Sequence, residues 1–272
     1  MKPIIVATDF SAAAINAAQY AFNMAQAING NVLLFHTFQI PVAYSEVPLA
    51  ANADDMMQDA LTEINKQKND LLYLSDGKTT IDVEVREGVL FYELNELCKK
   101  VNPYAVIMGS QGTTAAERII FGSHTIFAIK HLMHPLITVP LGAKFEHIKK
   151  IGLACDFDKV VDTVPVDEIK TLITDFKAEF HILNTGKQES FNPDLIFQSG
   201  LFQEMTWNIK PQYHFITHKN IDEGIIDFAE KIDIDLLIVL PKRHNLIEQI
   251  THKSHSKQLV LHSHVPVMAL HD

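Results

Sequence analysis

Hydrophobic positions along the chain fall into two alternating patterns. Unbroken apolar runs such as PIIVATD (3–9) and NVLLFHTF (31–38) read as strands buried on both faces of a sheet. Between the runs, apolar residues recur every three or four positions, which predicts helices. After the first strand Ser11 is placed to cap a helix in which Ala14, Ala17, Ala21 and Ile28 share a face, with Gly30 at its end. A polar loop with Pro41 and Pro48 precedes a helix near 53–74, and TTIDVEV (79–85), a helix near 90–101, AVIMGS (105–110), a helix from Ser123 and PLITVP (135–140) complete one set.

A second set follows in the same order. It runs KIGLACD (150–156), a helix near 164–176, EFHILNT (179–185), a shorter helical stretch near 194–206, QYHFITH (212–218), a helix at 221–232, DLLIVLP (235–241), a helix near 254–262 and PVMAL (266–270). Such alternation requires right-handed crossovers and a mostly parallel sheet. The sets are two copies of one pattern, since PIIVATDF (3–10) recurs as KIGLACDF (150–157) and HPLITVPL (134–141) as VPVMALHD (265–272). From Ala105 onward the copies align without a gap at a shift of 131 residues, whereas their openings are shifted by 147. The reading is two α/β domains, 1–141 and 149–272, joined by LGAKFEHIK (141–149), a segment too apolar for a flexible tether. The two domains are therefore expected to pack against each other.

Composition narrows the function classes. A chain of 272 residues with 47% hydrophobic and 21% charged residues is that of a globular protein. It has no apolar run of the ~18–20 residues that span a bilayer. The opening MKPIIVATDF shows no export signal, so a cytoplasmic location is expected. Cys98 and Cys155 stand alone, which fits packed thiols in a reducing compartment. A formal charge of −10 without a basic stripe argues against nucleic acid as a partner.

The candidate chemistry sits in GSQGTTAAERIIFGS (109–123), between a strand and a helix. There, backbone N–H groups and the positive end of a helix dipole face an anion. Gly109 and Gly112 let the backbone turn and approach a ligand, and Gly122-Ser123 repeats the device at the next helix, Ser123 offering a cap or a hydroxyl to a phosphate oxygen. Neither the GxxxxGK[ST] loop nor the GxGxxG fingerprint is present.

Gly109-x2-Gly112-x9-Gly122-Ser123 resembles the ATP-binding pattern of the universal stress protein family, and VATDFS (6–11) with Asp9 looks like that family's first strand. The resemblance covers nearly the whole chain as a tandem of two such domains. It implies a flavodoxin-like (Rossmann-like) α/β fold, a five-stranded mostly parallel sheet flanked by helices in each domain, and pairing through the last strand. It also implies adenine and ribose beside Ala7, Thr8, Asp9 and Thr37, and phosphates beside Met108, Gly109, Gly112, Gly122, Ser123 and His124. The implied ligand is ATP or AMP with Mg²⁺, in a stress-response switch or interaction module that meets a protein partner of unstated identity, as a single tandem chain or as a homodimer. Gln111, Thr113 and His124 depart from the family's usual residues, and Arg118 is the one full positive charge in the loop.

Other readings stand beside this one. Asp9 also suits a helix cap, and Thr37 a buried threonine. In the second copy Gly109, Gly112 and Gly122 become Leu240, Arg243 and Lys253, with Ser254 and Asp156 kept, so no ATP site of this kind is expected there. His252, His255, His262 and His264 crowd the carboxyl-terminal part without a cysteine or carboxylate to complete a zinc set. No nucleophile elbow or acid–base pair marks catalysis. A nucleotide-free scaffold and a slow ATPase are the alternatives.

Overall fold

The computed structural model describes residues 2–40, 52–73, 79–110, 125, 127–155, 164–184, 193–241, 259–260 and 263–271, the side chains of 193–199 excepted. Strands are β1 (Ile4–Ala7), β2 (Val32–Phe38), β3 (Ile81–Glu87), β4 (Ala105–Gly109), β5 (Leu136–Val139), β6 (Lys150–Cys155), β7 (Glu179–Asn184), β8 (Gln212–Phe215), β9 (Leu236–Val239) and β10 (Val267–Ala269). Helices are α1 (Ala12–Ala27), α2 (Ala53–Tyr73), α3 (Leu90–Val101), α4 (Val166–Phe176), α5 (Pro193–Thr206) and α6 (Ile221–Lys231); residues 127–131 are also helical.

All ten strands form one sheet in the order β3-β2-β1-β4-β5-β10-β9-β6-β7-β8. Within each half every pairing is parallel, and β1, at the centre of the first half, is buried along its whole length. That is why it reads as an unbroken apolar run. The edge strand β3 alternates instead, and carries Asp82, Glu84, Arg86 and Glu87, charges that discourage further pairing.

The halves meet at β5 and β10, which pair antiparallel with Ile137 opposite Met268. These two residues are equivalent in the repeat, so the join is isologous, like the interface of a twofold dimer. Each strand would otherwise be a free edge. The hydroxyl of Thr138 donates to the Val267 carbonyl at 3.1 Å inside this seam. Because the join is antiparallel, the carboxyl ends of the two sets of strands open at opposite ends of the sheet.

Two apolar layers cross the seam, one on each face. One unites α1 and α2 with α4, and the other unites α3 with α6. The connecting segment belongs to the first layer: Phe145 is 7% exposed, its ring lying 5.3 Å from Tyr20 edge-on and 6.2 Å from Phe176. The Asn16 amide donates to the carbonyls of Pro140 and Ala143 at 3.2 and 3.1 Å. Tyr104, before β4, donates its hydroxyl to Asp175 of α4 at 3.0 Å, and burial together with that carboxylate raises its pKa. Cys98 and Cys155 are buried, and burial pushes the Cys98 thiol up to about 12.

One local expectation is corrected. The left-handed residue that ends α1 is Asn29 (φ 52°), not Gly30. Asn29 N–H donates to Gln26 and Gly30 N–H to Ala25, the two bonds of a Schellman motif, in which asparagine serves at the left-handed position. Asp233 (φ 56°) closes α6 in the same way, its N–H and that of Ile234 bonding to Glu230 and Ala229.

Candidate functional site

In a doubly wound sheet the chain leaves β1 for β2 on one side and returns for β4 on the other, and the crevice at that switch point receives ligands. Here β1 lies between β2 and β4, so the crevice opens at the carboxyl ends of β1, β2 and β4. The register sets Ala7 beside Phe35 and Val6 beside Ile107, which brings Ala7, Thr8, Asp9, Thr37, Met108 and Gly109 to one rim. Gly112, Gly122, Ser123 and His124 lie outside the described residues.

The rim residues differ in what they offer. Ala7, Thr8 and Met108 are buried at 7%, 6% and 7% exposure, whereas Asp9 is exposed and Thr37 half-buried. Asp9 accepts from the Ser11 N–H at 3.1 Å through Oδ1, and Ser11 caps α1 by accepting from Ala14 N–H at 3.2 Å. The carboxylate of Asp9 thus both holds the turn and stands at the surface. Between them Phe10 is left-handed (φ 63°), which is uncommon for a bulky side chain, and its ring packs 4.5 Å from that of His36.

Gly109 makes its close approach to protein. A Cβ there would stand 2.8 Å from the carbonyl carbon and oxygen of Ala13 and 2.9 Å from its Cβ. The first turn of α1 rests directly on the end of β4, and only glycine leaves room. The next residue, Ser110, is 1% exposed, and its hydroxyl has no partner among the described residues. The Thr125 hydroxyl donates to the Gly109 carbonyl at 3.2 Å, tying together the two ends of the glycine loop.

Sequence reasoning missed several neighbours of this rim. His36 approaches the Thr8 carbonyl at 2.8 Å through Nδ1, and Gln67 of α2 receives the Thr8 hydroxyl at 3.0 Å. The only signal for Gln67 was a polar residue in the stripe Ala60, Ile64, Leu71. Arg86, opposite Thr37 in the register, is held by Glu84 and Glu93 and lies over the Phe35 ring at 5.7 Å. Its charge is therefore spent within the protein.

The corresponding rim of the second half is built differently. Leu240 stands where Gly109 does, and α4 begins at Val166, whereas the repeat would place the start of α1 at Lys159. Asp156, Arg243, Lys253 and Ser254 lie outside the described residues, as do His252, His255 and His262; His264 is exposed. On the outer strands, His181 Nδ1 lies 3.0 Å from His214 Nε2 with the rings stacked. Burial lowers the pKa of both. Among the described residues no group of three His, Cys, Asp or Glu is placed to hold a metal, and no helix is long and apolar enough to cross a membrane.

Comparisons with known proteins agree with this architecture. The chain is 26% identical over 144 residues to the universal stress protein MJ0531 of Methanocaldococcus jannaschii, a match covering 51% of this chain and 81% of that protein. A universal stress protein from Archaeoglobus fulgidus matches in structure over 99% of this chain and 96% of its own, with a TM-score of 0.72 at 15% identity. A functionally unknown protein of Pseudomonas aeruginosa does so over 99% and 92%, with a TM-score of 0.60 at 12% identity. At these identities the structural likenesses show the fold. The sequence model of the Universal stress protein family matches residues 1–140 and 201–271, parts of both halves, and with that the chain belongs to the universal stress protein family.

Proposed function

We propose that the chain is a cytoplasmic stress-response protein of two universal stress domains, 1–141 and 149–272, in which the first binds one adenine nucleotide and the second does not. The observation that carries this reading is the contrast between the two rims. In the first half α1 comes down onto Gly109 beside an exposed Asp9, while in the second a leucine, Leu240, stands at the position equivalent to Gly109.

The residues present fit an adenosine phosphate. Asp9 offers a carboxylate acceptor to a ribose or base, Thr37 a half-buried neighbour, and the buried Ser110 hydroxyl is without a partner among the described residues at the mouth of the glycine loop. Gly112, Gly122 and Ser123 are assigned to the phosphates by their spacing and by family resemblance, and His124 by the resemblance alone. ATP, with Mg²⁺ on its phosphates, is the ligand proposed. A helix-end contact to an anion contributes roughly 0.3–2 kcal/mol, against about 8 kcal/mol for micromolar affinity, so burial of the base and several N–H contacts must supply the remainder. Nucleotide occupancy would then alter the surface shown to a protein partner. The sequence carries no nucleophile elbow or acid–base pair, and the reading is binding without designed turnover.

Titration of ATP into nucleotide-stripped protein tests this. One site per chain is expected, weakened at least tenfold by Gly112→Val and by Asp9→Ala. Absence of binding by the unaltered protein would favour a nucleotide-free scaffold, and phosphate release abolished by Gly122→Val would favour a slow ATPase.

A further inference from the structure

Helix α2 buries Ala60, Ile64, Gln67 and Leu71 along one stripe, and Gln67 is its polar member at 6% exposure. Its Oε1 accepts the Thr8 hydroxyl at 3.0 Å, while Nε2 has no partner among the described residues. Exchanging the amide oxygen and nitrogen would orphan the oxygen instead. Either way a buried polar atom is without a partner among the described residues, at a position where leucine or methionine would complete the stripe. A residue that breaks a local packing rule is where function is expected.

A hydroxyl has one proton. With that proton directed to Gln67, the lone pairs of Thr8 Oγ1 are left to the Phe10 N–H, which lies 3.2 Å away. This bond spans Asp9 and ends on the N–H of the left-handed Phe10, the least comfortable residue of the β1–α1 turn. The turn in turn fixes Asp9, whose Oδ1 holds the Ser11 N–H. The exposed carboxylate at the rim therefore rests on a chain of contacts that begins beneath the surface at Gln67, 59 positions from Thr8 in sequence.

We propose that Gln67 is a positioning residue of the nucleotide site: from α2 it orients the Thr8 hydroxyl, holds the Phe10 turn and so sets the affinity of the rim for ATP. This rests on the nucleotide reading above. It also makes α2, the helix next to the rim, part of the route by which occupancy reaches the surface.

The test compares Gln67→Met, Thr8→Val, the double variant and Gln67→Glu, which keeps an acceptor for the hydroxyl, with the unaltered protein. Three quantities are measured: amide exchange at Phe10 and Ser11 without nucleotide, ATP affinity, and the unfolding midpoint. Gln67→Met is expected to speed exchange at Phe10 and to weaken ATP about tenfold, roughly 1.4 kcal/mol, with the midpoint equal to or above that of the unaltered protein. Thr8→Val and the double variant should lose the same factor rather than its square, because the two residues act through one bond. Gln67→Glu should retain affinity within about threefold, since the acceptor remains. Unchanged exchange, or unchanged affinity alongside a lowered midpoint, overturns the proposal. If the unaltered protein binds no ATP while Gln67→Met still loosens Phe10, the nucleotide reading falls and the holding of the turn stands.

Discussion

Replacing Gly109 with alanine adds one methyl group where three atoms of Ala13 already stand at 2.8–2.9 Å. An ordinary carbon–carbon contact needs about 3.5–4.0 Å, so the end of β4 and the first turn of α1 must separate by the better part of an ångström. Two of the three obstructing atoms are backbone, which no rotamer change can move. Over-packing of this kind costs roughly 1–3 kcal/mol, and rigid neighbours place Gly109→Ala near the upper figure. With an unfolding entropy of about 2.1 cal/mol/K per residue over 272 residues, ~3 kcal/mol lowers the melting temperature by roughly 5 °C. Thermal unfolding followed by circular dichroism measures this. Gly200→Ala is the control: the glycine is in α5 with nothing among the described residues within 4 Å of an added Cβ, and alanine there should raise the midpoint slightly. If Gly109→Ala melts within a degree of the unaltered protein, α1 does not press on β4 as described, and the glycine must be explained by a ligand alone.

Truncating Phe145 to alanine empties the space between Tyr20 and Phe176, and at 7% exposure it should cost about 3–5 kcal/mol in denaturant unfolding; a loss under 1 kcal/mol would show that the connecting segment does not fasten the halves together. Acid should destabilise the fold through His181 and His214, whose folded pKa values are held below the usual histidine value by burial, for His181 with help from His214 and Lys150 and against the pull of Glu179. Below about pH 6.5 the unfolded chain binds protons that the folded one resists, so this contribution is present above that pH and lost as the pH falls through the folded values. His214→Gln should flatten the dependence of the unfolding midpoint on pH between about 7 and 5, and an unaltered slope would refute the assignment.

Much of the fold was legible because parallel strands buried on both faces leave continuous apolar runs, and all ten strands were marked by sequence alone, the edge strand β3 by alternation instead. The repeat made the order of elements in one half a guide to the other. What periodicity does not carry is how the halves join: nothing in PLITVP or PVMAL specifies an antiparallel partner, and the family resemblance supplied only pairing through the last strand. Composition likewise suggested glycine as the terminator of α1, although asparagine adopts the same left-handed backbone and takes that position at Asn29. The rim was legible in part. Ala7, Thr8, Asp9, Thr37, Met108 and Gly109 come together as strand ends must, yet the role of Gly109 in seating α1 depends on a helix–strand distance that no spacing in sequence encodes. His36 and Gln67 were invisible for the same reason, since each reaches Thr8 across the fold from another element.

The central claim is that one adenine nucleotide binds at the first rim and none at the second. Photolabelling with 8-azido-ATP, followed by mapping of the modified peptides and competition with unlabelled ATP, tests it most directly. The account predicts competed labels confined to peptides within residues 1–141. Competed labelling within 149–272, or none in either half, would contradict it.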